Sequence, residues 1–106
     1  VESSKKVGPL REAVAVEARK HFTTPDLGPV FVEIVFYLPR PKSMPKGRIR
    51  PTIMPDLDKL ARSTLDALTG IAYKDDAQVV NLVLSKYYPP GDEPGARIVI
   101  ETEGPD

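Results

Sequence analysis

The stretch "PRPKSMPKGRIRPTIMP", residues 39 to 55, most limits how this chain can fold. Five prolines and one glycine fall within it. Each proline fixes its own φ and removes a backbone donor, so neither a helix interior nor a central strand can pass through. Regular structure must therefore lie on either side of a long loop, stiffened toward extended conformations. The whole chain is 106 residues, enough for one modest core and too short for two. The loop also carries Arg40, Lys42, Lys46, Arg48 and Arg50 with no acidic residue, although the net charge of the chain is zero. A positive segment is thus set against a surplus of acid elsewhere, and long loops in small domains are commonly functional.

The flanks read as helices and strands. "GPLREAVAVEARKHF" suits an amphipathic helix over about residues 9 to 22, with Pro9 near its start. "VFVEIVFYL" is β-branched and aromatic, which predicts a largely buried strand. Beyond the loop, Leu57, Leu60, Ala61, Thr64, Leu65 and Leu68 recur at helical spacing, with Asp58, Lys59, Arg62 and Asp66 on the opposite face and Gly70 as terminator. "AQVVNLVLSKYY" reads as a strand, "PPGDEPG" as a turn and "ARIVIETE" as a last strand. The expected architecture is α+β: a small mixed β-sheet whose apolar face is covered by two helices.

Composition excludes several chemistries. There is no cysteine and one histidine, so disulfide frameworks, thiolate sites and multi-imidazole sites are ruled out. His21 follows a helix and reads as a surface residue. The longest apolar run, Val30 to Leu38, is too short to cross a bilayer and no signal peptide opens the chain, so a cytoplasmic protein without a membrane partner is expected.

Acid is concentrated around the second helix. Asp56 and Asp58 stand at its start, where one can cap it and the other complements the macrodipole. Asp75 and Asp76 precede the next strand, where a solvated turn is the plain alternative to a binding role. If Asp56, Asp58 and Asp76 converge, their hard oxygens suit Mg²⁺ or Mn²⁺, and metal-assisted phosphodiester hydrolysis is the natural reaction. The spacing leaves open whether they do. Lys59 and Arg62 can steady a phosphate, or Arg62 can pair with Asp58 and Asp66 at i, i+4. The loop cations Arg40, Lys42, Lys46, Arg48 and Arg50 suit a nucleic-acid backbone or a solubilising surface. Lys86 is either a DNA contact or a solvated edge charge.

"PDLDKLARSTLDALTGIAYKDDAQVVNLVLSK", preceded by "YLPRPKS" and the basic loop, resembles the RusA-type Holliday junction resolvases over roughly residues 30 to 101. The resemblance implies a homodimeric, Mg²⁺-dependent endodeoxyribonuclease that cuts four-way DNA junctions by paired nicks, with no small-molecule cofactor. It places the metal-binding carboxylates at Asp56, Asp58 and Asp76 and leaves Asp75 without an assigned role. The family's catalytic lysine falls on Arg62, and its usual asparagine on Lys59. Arginine keeps the charge but does not deprotonate, so it can stabilise a phosphate and not act as a base. Family members also open with a strand before the first helix, so the resemblance implies that an N-terminal strand is absent here. Two other readings stand beside the nuclease: a non-catalytic nucleic-acid-binding module using the basic loop, and a carboxylate-metal phosphatase, which would have no use for that loop.

Overall fold

The computed structural model describes residues 2–45, 47–91 and 93–103, with side chains from Leu10 onward. Its centre is β1 (Val30–Tyr37), whose alternate residues Val30, Val32, Ile34 and Phe36 are buried on one face. That alternation places half of a β-branched, aromatic strand in the core and aims Phe31, Glu33, Val35 and Tyr37 the other way. Both edges of β1 are used. It pairs in parallel with β2 (Val79–Tyr87) and antiparallel with β3 (Gly95–Thr102), giving the order β2-β1-β3.

The helices are α1 (Glu2–Arg19) and α2 (Leu57–Leu68). α1 begins and ends earlier than its sequence pattern predicts, so Pro9 lies inside it. Its last turn tightens as the amides of Lys20 and His21 bond to Glu17 and Ala18, three residues back, and His21 is exposed. α2 matches its predicted span. Gly70 just beyond it takes φ +85°, the left-handed conformation that lets the chain turn back at low steric cost. Leu60, Ala61, Thr64, Ala67 and Leu68 face inward, and buried Thr64 satisfies its hydroxyl on the Leu60 carbonyl at 2.8 Å. Among the described residues no helix is long and apolar enough to cross a membrane.

Two expectations about connections are corrected. The segment after β2 is not a hairpin turn, because β3 pairs with the far edge of β1. Prolines 89, 90 and 94 withhold the amides and the positive φ that a tight hairpin turn needs. In addition, β2 begins at Val79 rather than Ala77, because Asp76–Gln78 form one turn of 3-10 helix. The basic loop, by contrast, contains no helix or strand among its described residues, as its prolines predict.

Parallel pairing has the consequence that matters for function. α2 must carry the chain from the C-terminal end of β1 back to the N-terminal end of β2. Residues before α2 and residues after it therefore sit at opposite ends of the sheet, separated by a helix about 18 Å long.

Phe36 is 1% exposed at the centre of the core. Phe36→Ala is expected to lower stability by about 3–5 kcal/mol, and Ile34→Val by about 0.5–1.5 kcal/mol, in urea-denaturation measurements.

Candidate active site

At the first end of α2, Asp56 occupies the N-cap position with extended backbone (φ −67°, ψ 149°). Its carbonyl accepts the Leu60 amide at 3.1 Å, yet its carboxylate makes no capping hydrogen bond. The capping role open to it in sequence is thus not taken, and the exposed carboxylate stays available. Asp58 is exposed in the first turn, where the helix dipole favours its charge. Just upstream, the Lys86 ammonium donates to the carbonyls of Ile53 (2.9 Å) and Pro55 (3.2 Å).

At the other end the two adjacent aspartates divide their work. Asp75 caps the 3-10 turn, its carboxylate accepting the Ala77 amide at 2.9 Å. Asp76 is exposed, and among the described residues no hydrogen bond or ion pair engages its carboxylate. The turn is held by Gln78. Its side-chain oxygen accepts the amides of Lys74 (3.0 Å) and Asp75 (2.9 Å). Its side-chain nitrogen donates to the carbonyls of Asp26 (2.8 Å) and Gly28 (3.0 Å). Beneath it Tyr73 is fully buried, with its hydroxyl donating to the Leu65 carbonyl at 2.8 Å. Burial pushes the Tyr73 phenol up to about 12, with Asp76 and Asp66 adding smaller upward effects against a lowering hydrogen bond from Thr69.

The convergence considered in sequence does not occur within one chain. Among the described residues no group of three or more His, Cys, Asp or Glu side chains is gathered closely enough to hold a metal ion. The topology supplies the reason. The segment entering α2 is held at the C-terminal end of β2, where Lys86 binds the Ile53 and Pro55 carbonyls, whereas Asp76 lies just before its N-terminal end. The donor type is still one that suits a hard divalent cation: the Asp56 and Asp76 carboxylate oxygens are occupied by no capping bond.

The cations separate into occupied and free groups. Lys59 and Arg62 are exposed beside Asp58, and the ion pairs Asp58–Arg62 and Arg62–Asp66 are not formed. In the basic loop, Arg40 is turned inward: it donates to the carbonyls of Pro45 (3.0 Å) and Arg48 (2.7 Å) and lies 4.7 Å over the Tyr88 ring. Arg50 lies 4.0 Å over the Tyr87 ring and donates to its hydroxyl. Such cation–π contacts contribute about 0.5–1 kcal/mol each at exposed positions. Lys42 and Arg48 are exposed, with no side-chain hydrogen bond or ion pair among the described residues, and Lys46 lies outside those residues. Sequence reasoning missed Gln78, Tyr87 and Tyr88. The only visible signals were a polar residue at a strand start and two tyrosines following a basic loop.

The chain is thus a mixed-sheet α+β protein with exposed carboxylates before and after one helix, beside a cationic loop. The family model described as Endodeoxyribonuclease RusA matches residues 2–101, and the chain belongs to this family of Holliday junction-resolving endonucleases. It is also 38% identical over 102 residues to the uncharacterized protein YqaN of Bacillus subtilis (strain 168), covering 86% of this chain and 70% of that one.

Gln78→Ala leaves four backbone groups without their partner, with an expected stability loss of about 1–3 kcal/mol. Hydrogen exchange should then quicken at the Lys74 and Asp75 amides. The raised phenol of Tyr73 makes folding pH-dependent. The native state holds the Tyr73 proton more tightly than the unfolded chain, so its contribution is complete below pH 10 and is lost as pH rises toward about 12. Tyr73→Phe should flatten that alkaline decline in thermal melts.

Proposed function

We propose that this protein is a Mg²⁺-dependent, structure-selective endodeoxyribonuclease that resolves Holliday junctions by paired phosphodiester hydrolysis in DNA recombination and repair. Family membership supports the reaction class. The observation that carries the residue assignment is the division between neighbours: Asp75 is spent on a cap, while Asp76 is not. Asp56 and Asp58 complete the proposed ligand set, and Mn²⁺ is an alternative ion for the same oxygens. A bound divalent cation supplies charge neutralisation and a water of lowered pKa.

The remaining roles belong to the chain's own cations. Arg62 and Lys59, unpaired beside Asp58, offset negative charge on the phosphate. Lys42 and Arg48 grip the DNA backbone away from the cut. Arg40 and Arg50 shape the loop that presents them.

A homodimer fits this reading, since two-fold symmetry presents one site to each of two opposed strands. It also bears on the metal. One chain does not gather Asp76 with Asp56 and Asp58 closely enough for one ion, so a three-carboxylate site must close either by movement within the chain or between two copies. Mixing Asp58→Asn with Asp76→Asn protein separates these routes. Restored nicking marks a site shared between copies, because one of the two sites in the mixed dimer is then intact.

The non-catalytic binding module is the second reading, favoured by the carboxylates standing apart. The decisive assay compares a four-way junction with a linear duplex of the same sequence, with and without Mg²⁺. Asp76→Asn should abolish junction cleavage while binding persists, and Asp75→Asn should retain most activity because asparagine also caps. Equal cleavage by Asp76→Asn and the parent would sink the nuclease assignment of Asp76. Salt-sensitive binding with no Mg²⁺-dependent cleavage by the parent would establish the binding module.

A further inference from the structure

We infer that Lys86 is a positioning residue for Asp56, which it holds through the backbone rather than by contact with DNA; this rests on the proposed metal-dependent nuclease reading. Lys86 is half-buried near the end of β2, paired with Phe36 of β1. Its register opposite Phe36, with Leu84 opposite Ile34, places it on the face of the sheet that carries the core. Its ammonium has three donors, and two are committed to the carbonyls of Ile53 and Pro55.

The Pro55 carbonyl is the important one. It belongs to the same planar peptide unit as the Asp56 nitrogen, so holding that oxygen holds the plane from which Asp56 continues. The Pro55 ring removes the remaining freedom of φ on the preceding side. On the following side the Asp56 carbonyl is held by the Leu60 amide at 3.1 Å. Asp56 is therefore pinned through its backbone on both sides while its carboxylate remains unengaged. That is the arrangement a ligand needs: a fixed origin and a free donor.

A surface lysine that contacts DNA releases counterions and steepens the salt dependence of binding. The Lys86 ammonium keeps its charge, but it is directed onto two backbone carbonyls and not onto a phosphate, so it adds little to that slope. The two roles therefore differ in what they alter: metal occupancy at Asp56 in one case, and junction affinity in the other.

The test uses Mn²⁺ alone as a paramagnetic probe on the full chain, read by amide resonances, with junction binding measured separately in EDTA. In the parent, Mn²⁺ is expected to broaden the amides of residues 56 to 58. Lys86→Met should shift amides at residues 53 to 58 and raise the Mn²⁺ needed for half-broadening by about tenfold. Its junction affinity and salt slope should stay at parent values. Lys86→Arg, which keeps N–H donors, should recover the parent Mn²⁺ requirement, and it supplies the comparison if Lys86→Met does not fold. Unchanged half-broadening in a folded Lys86→Met overturns the inference. So does weakened junction binding with a shallower salt slope, which would make Lys86 a DNA contact, and so does a folded Lys86→Arg that binds Mn²⁺ no better than Lys86→Met. A parent that shows no broadening at residues 56 to 58 overturns the metal reading itself, and this inference with it.

Discussion

The side-chain amide of Gln78 is the interaction on which the functional end of the fold depends. Its two ends are each shared between two backbone partners, one pair before β1 and one pair before β2. It thereby joins the starts of two parallel strands that no hairpin connects. Partly buried backbone groups need partners, and an irregular segment cannot find them in a ladder. Gln78 meets that need for the part-buried carbonyls of Asp26 and Gly28, and its oxygen also takes the exposed amides of Lys74 and Asp75. Asp75 is then free to cap, and Asp76 is left facing solvent.

The strand that Gln78 introduces also serves the opposite end of the site. Lys86 reaches the segment entering α2, and Tyr87 and Tyr88 carry the guanidinium groups of Arg50 and Arg40. The Tyr88 amide also bonds to the Ile49 carbonyl at 2.8 Å. The basic loop thus lies against the end of β2 through polar and cation–π contacts, without secondary structure of its own. Two of its arginines serve the loop, while Lys42 and Arg48 remain exposed.

Much of this was legible in the residues. The spans of β1 and α2, the left-handed glycine after α2 and the irregular loop all follow from local rules: alternation, 3.6-residue spacing, the φ freedom of glycine and the missing amide of proline. Membership of the RusA family was likewise legible, because its motif is an ordered set of residue types along the chain. What local rules missed was non-local. "PPGDEPG" has the composition of a turn, but the two strands it links lie on opposite sides of β1, and pairing partners are decided by the packing of the whole sheet.

The aspartates mark the same boundary. Sequence determined which residue types are present and where along the chain they fall: acid before and after α2, a cationic loop preceding it, and no histidine or cysteine cluster to compete for a metal. Tertiary structure decided which of these groups remain unspent and how far apart they stand. Asp75 and Asp76 are chemically alike, and only the 3-10 turn makes one a cap and the other a free carboxylate. Parallel pairing of β1 with β2 carries the chain through α2 from one end of the sheet to the other, so aspartates of one motif are not gathered into one group within the chain. Distance along a chain is set by covalent bonds, whereas distance across a fold is set by strand direction and packing.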